Sequence, residues 1–161
     1  MAKINYQFED FLNNVEPQYR DFVNEIHELL MKDNYKIKIE EKATGFFVSY
    51  EHPKTKRNIL NFLFRKKGLF IRLYGENCNE YQDVLNELPQ EIINQIDKAG
   101  VCKRIIDPQA CNPRCSMGYD FYMIEKHYQK CRNSCFYLFV DLDSVPFLFK
   151  LIESENKERN K

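Results

Sequence analysis

Three observations predict an α+β fold in a single domain. The chain has 161 residues, and single domains usually hold roughly 100–200. Its hydrophobic spacing switches from a helical period to strand alternation and back again. The strand-like runs follow one another through short turns, which favours an antiparallel meander over a parallel sheet. A hydrophobic share of 43%, with 13 Phe and 10 Tyr, supplies a core and excludes bulk disorder.

The elements follow in order. Ile4, Phe8, Phe11, Leu12 and Val15 mark a short helix packed on the body. Glu16-Pro17 opens a second helix, because Pro fits a first turn. Tyr19, Phe22, Val23, Ile26, Leu29 and Leu30 then recur at helical spacing, to about Asp33. From Tyr35, Ile37 and Ile39 alternate with Lys36, Lys38 and Glu40 as a strand. Phe46 to Tyr50, Ile59 to Arg65 and Leu69 to Tyr74 complete four strands, and Lys66-Lys67-Gly68 is a hairpin link. Tyr81 to Ile96 reads as helix, broken or kinked at Pro89 and ended at Gly100. Residues 101–117 are irregular and cysteine-rich, and a second hairpin turns around Glu125-Lys126-His127. Phe136 to Leu142 is a further strand, and Pro146 lies in the first turn of a last helix. The charged end, Glu153 to Lys161, is expected to fray. Within the one domain, residues 1–100 are helices plus meander, 101–142 the cysteine-rich region and 143–161 the closing helix and tail. The order resembles that of small bacterial α+β domains in which helices lead into a meander; no residue role is carried over from them.

The start lacks a cationic region followed by an apolar run, and no apolar stretch is long enough to span a bilayer. The expected location is the cytosol, with no membrane partner. Six cysteines there suggest reduced thiols, metal ligands or redox chemistry before structural disulfides.

Four of them form a spaced set. Cys111 and Cys115, then Cys131 and Cys135, give C-x3-C-x15-C-x3-C. Zinc favours four thiolates from two close pairs on turns, and the hairpin between the pairs would return the second beside the first. Cys102 or His127 can substitute for one ligand. The alternatives are small buried thiols and a disulfide or redox pair. Cys78 precedes a helix, and Cys115 adjoins Arg114, so either is a candidate reactive thiol.

Equal totals of 24 basic and 24 acidic residues hide a segregated charge. Lys54, Lys56, Arg57, Arg65, Lys66, Lys67 and Arg72 fall in a stretch with no acid, followed by an acidic stretch from Glu76 to Asp97. Phe70, Arg72 and Tyr74 share a strand face, and Arg beside aromatics can contact phosphates and stack on bases. Lys56, Arg57, Arg65, Lys67 and Arg72 are therefore candidate contacts for nucleic acid or another polyanion. The alternative is a solvated sheet face. No P-loop, G-x-G-x-x-G, H-E-x-x-H or G-x-S-x-G pattern occurs, and no carboxylate pair stands out for acid–base work. The expected function is a non-enzymatic cytosolic binding module with a structural four-cysteine zinc site, contacting a polyanion. The alternative is a thiol-dependent enzyme or redox-responsive protein using Cys78 or Cys115.

Overall fold

Two helices lead into the sheet in the computed structural model, which describes residues 4–161. Met1 to Lys3, part of the start that the sequence predicts to carry no secretory signal, lie outside the described residues. Helix α1 (Phe8–Leu12) precedes a 3-10 turn (Pro17–Tyr19) and helix α2 (Arg20–Lys32). Phe22, Val23, Ile26 and Leu30 of α2 fall on one helical face and are all buried. Asn34 then takes a left-handed φ of 65°, a conformation that Asn tolerates well. The Tyr35 N–H bonds back to the Leu30 carbonyl at 3.1 Å, which ends the helix and starts the first strand.

Strands β1 (Lys36–Lys42), β2 (Gly45–Glu51), β3 (Asn58–Arg65) and β4 (Gly68–Leu73) form the expected antiparallel meander. Gly68 pairs with Arg65 at φ 141°, where a side chain would be strained, so the link needs glycine there. A 3-10 turn (Cys78–Tyr81) and helices α3 (Gln82–Asn86), α4 (Gln90–Lys98) and α5 (Lys103–Ile106) follow, with Pro89 separating α3 from α4. Strands β5 (Tyr119–Met123) and β6 (Lys126–Lys130) form a separate hairpin that turns at Ile124-Glu125. Strand β7 (Tyr137–Phe139) joins the main sheet antiparallel to β4, giving the order β1-β2-β3-β4-β7. Helix α6 (Val145–Arg159) closes the chain.

Strand alternation gives the sheet two unlike faces. On the inner face Val48, Tyr50, Leu60, Phe62, Ile71 and Leu138 are completely buried, within the same core cluster as α2, α4 and α6. Phe62 meets Phe11, Phe22 and Tyr50 with ring centroids 5.5–6.5 Å apart. On the outer face Phe47, Phe70, Tyr137 and Phe139 stay half-exposed.

The charged end does not fray. Helix α6 continues to Arg159, and Glu155 is 0% exposed. Its carboxylate accepts bonds from the Tyr81 hydroxyl (2.7 Å), the Asn77 N–H (3.0 Å), Asn77 Nδ2 (2.8 Å) and Arg159 Nε (2.9 Å). A buried charge persists only when fully partnered, and this one is. No helix among the described residues is long and apolar enough to cross a membrane.

Candidate functional site

The spaced cysteines do not build a metal centre. All six thiols are free, and among the described residues no three His, Cys, Asp or Glu side chains converge. The reason is local. Residues 131–135 form a helical turn, in which the Cys135 N–H bonds to the Cys131 carbonyl at 2.9 Å. That turn sends Cys135 into the core, where burial pushes its thiol well above the usual range. Cys131 stays half-buried, and Cys111 is exposed on a different loop. The hairpin β5–β6 therefore returns the chain without bringing the pairs together. Cys102 is buried and accepts a bond from the Gly118 N–H at 3.2 Å. Gly118 approaches so closely that a side chain there would lie 2.1 Å from the Lys130 carbonyl. His127 instead pairs with Asp120 at 2.5 Å on the hairpin.

Cys78, a candidate reactive thiol in the alternative reading, lies in the core. It is 2% exposed. Burial, then the nearby Glu155, pushes its pKa up to about 12, so the nucleophilic thiolate is suppressed near neutral pH. Cys115 is half-buried on the 111–116 loop, and its carbonyl accepts from Arg104.

The basic candidates divide into two groups. Lys56 sits exposed in the loop between β2 and β3, with a left-handed φ of 61°. Arg57, beside it, pairs with Glu76 at 2.7 Å. Strand β3 then runs eight residues to Arg65. At about 3.3 Å per residue, that places Arg65 about 25 Å from Arg57.

Arg65, Lys67 and Arg72 surround an aromatic cluster on the outer face. The strand register defines its rows. One row is Ser49, Asn61, Arg72 and Tyr137, and the next is Phe47, Leu63, Phe70 and Phe139. The Phe70 and Tyr137 rings stack with centroids 5.0 Å apart and planes 24° apart, and Phe139 lies 5.3 Å from Phe70. Arg65 Nε donates to the Tyr137 hydroxyl at 2.6 Å. The Arg72 guanidinium lies 5.1 Å from the Tyr137 ring centroid, and Lys67 Nζ lies 4.2 Å from that of Phe139. Ion pairs form elsewhere on this face, where Lys38 and Lys42 both pair with Glu40 at 3.1 and 3.3 Å. Among the described residues, Arg65, Lys67 and Arg72 enter no ion pair with a carboxylate.

Asn61 is the polar residue that sequence inspection missed. It is 2% exposed in the middle of the outer face. Its Nδ2 donates to the Tyr74 hydroxyl at 3.0 Å, while its Oδ1 is buried without a partner. A buried acceptor without a donor is costly, at about 1–3 kcal/mol. The one signal in the sequence was an amide inside the apolar run Ile59 to Phe64.

At the Tyr74 end of the face an open cleft of about 420 Å³ is lined by residues that include Arg57, Tyr74, Arg114, Arg132 and Asn133. Arg132 lies 5.3 Å from the Tyr74 ring and 3.1 Å from Glu76. Arg72 Nε donates to the Asn133 carbonyl at 2.9 Å, which joins the cleft to the aromatic cluster. Comparison with protein-family models, curated proteins and solved structures finds no match to this chain.

Proposed function

We propose that the outer face of the five-stranded sheet binds single-stranded nucleic acid. One observation carries this reading: stacked half-exposed rings and cations without carboxylate partners share a single patch. Proteins that bind single strands without sequence preference combine these features, because every base has a π-face and every nucleotide brings a phosphate. Phe70, Tyr137 and Phe139 provide planes, and the guanidiniums of Arg65 and Arg72 widen them. Lys67, Arg65 and Arg72 meet phosphates. The Lys56 loop does not belong to this patch, and Arg57 contributes only through the adjoining cleft.

Fluorescence anisotropy with labelled single-stranded and duplex oligonucleotides at low salt tests the proposal. Single strands are expected to bind more tightly than duplex, with an affinity that falls as salt rises. A dissociation constant weaker than about 10⁻⁴ M, below typical non-specific affinity, leaves the ring–cation contacts as a purely structural feature.

A further inference from the structure

We infer that the cleft between the 111–116 loop and the Tyr74 end of the sheet binds a phosphate monoester, and that it takes the terminal phosphate of the strand laid on the outer face. The strand in this inference rests on the function proposed above; the phosphate site stands on the cleft itself.

Charge is the first support. Arg57, Arg114 and Arg132 line the cleft, and Arg159 lies behind it against Glu76 at 3.5 Å. Glu76 pairs with Arg57, Arg132 and Arg159, Glu155 pairs with Arg159, and Arg114 enters no ion pair among the described residues. Four guanidiniums thus face two carboxylates. Two positive charges remain, which matches the charge of about −1.5 to −2 on a phosphate monoester near neutral pH. An internal phosphodiester carries only one negative charge, so a strand end fits better than a strand middle.

Preorganisation is the second support. Glu76 holds Arg57 and Arg132 through the same carboxylate oxygen, and the Arg132 side chain is 14% exposed. The Arg132 fork is therefore held before a ligand arrives, which lowers the ordering cost of binding. Tyr74 adds a neutral donor. Its oxygen already accepts from Asn61 Nδ2, so its own hydrogen is available to the cleft. The cleft volume lies within the range of small-molecule sites. Asn133 borders the cleft while its carbonyl holds Arg72 of the aromatic cluster, so a strand can reach both.

The test uses the full chain and single-stranded oligonucleotides bearing a 5′-phosphate, a 3′-phosphate or hydroxyl ends, with inorganic phosphate as competitor at constant ionic strength. A terminal phosphate at one end is expected to tighten binding by about tenfold. Inorganic phosphate should remove that increment and shift the amide resonances of Arg114 and Asn133. Arg114→Gln, an exposed substitution, should abolish the increment and leave hydroxyl-ended binding unchanged. If phosphate shifts those resonances while no strand binds, the cleft stands and the sheet-face function falls. Equal binding of phosphorylated and hydroxyl-ended strands, with no response to phosphate, overturns the cleft whether or not strands bind. An increment that survives both Arg114→Gln and Arg57→Gln also overturns it, because the phosphate then sits elsewhere.

Discussion

On the inner face of the sheet Phe62 touches Phe11, Phe22 and Tyr50 and is completely buried; on the outer face Phe70 touches Tyr137 and Phe139 and stays half-exposed. The residue type is the same, and the neighbours differ. Inside, the neighbouring rings come from helices and strands that complete a core. Outside, Arg65, Lys67 and Arg72 lie around the rings and keep their charge unpaired. Aromatic area that excludes water stabilises the fold, whereas aromatic area beside free cations is available to a ligand.

Substitutions should separate the faces, and the largest effect belongs inside. Phe62→Ala is expected to cost about 3–5 kcal/mol by chemical denaturation, the value for a fully buried ring. Glu155→Ala should cost a similar amount, about 3–5 kcal/mol, because it takes the nearer carboxylate from the buried Arg159 and the acceptor from the Tyr81 hydroxyl and Asn77. A loss below about 1 kcal/mol for either would show that the inner side is not the stabilising one. Outside, Phe70→Leu should change stability by less than about 1.5 kcal/mol, since a hydrophobic residue of similar volume remains. The same change should weaken single-strand binding by about 1–3 kcal/mol, the value of one stacked base. Equal losses in affinity and stability would erase the distinction between the faces.

Charge gives a smaller effect. Arg65→Gln with Arg72→Gln should leave stability within about 0.5 kcal/mol. The slope of log affinity against log salt should flatten by about 0.7 for each phosphate that is no longer neutralised. An unchanged slope would mean that these arginines serve only Tyr137.

The smallest effect is a pH dependence on the inner side. His27 stacks on Phe8 with centroids 3.7 Å apart, and its Nδ1 lies 2.8 Å from the Tyr50 hydroxyl. Burial holds its pKa below the usual value, while Glu9 and Glu28 oppose the shift. A lowered histidine pKa means that the unfolded chain binds the proton more readily. His27 therefore contributes full stability above about pH 6.5, and that contribution is lost as pH falls towards its folded pKa. Melting temperatures between pH 8 and 5 should fall less steeply in His27→Gln; equal slopes would remove His27 as the cause.

Much of the fold was legible because its signals are local. Helix α2 follows from the spacing Phe22, Val23, Ile26 and Leu30, and the β3–β4 hairpin from Gly68. The rest depended on contacts between distant parts of the chain. Tyr137 and Phe139 complete the outer cluster only because β7 pairs with β4, which no local pattern announces. The buried end of α6 depends on Asn77 and Tyr81, far away in sequence. The cysteine spacing misled because it records separation along the chain and not direction. The helical turn at Cys131–Cys135 points one thiol into the core. Of the basic run, Arg65, Lys67 and Arg72 share the aromatic patch, whereas Lys56 and Arg57 precede β3, at its opposite end from Arg65.

The most direct measurement of the outer face as a binding surface is an amide-resonance titration of the full chain with a short single-stranded oligonucleotide. Saturable shifts are expected at Asn61, Phe70, Arg72, Tyr137 and their cross-strand neighbours, with the inner-face amides of α2 and the β5–β6 hairpin unmoved. No saturable shift at millimolar oligonucleotide, or shifts centred on the hairpin, would contradict a binding role for this face.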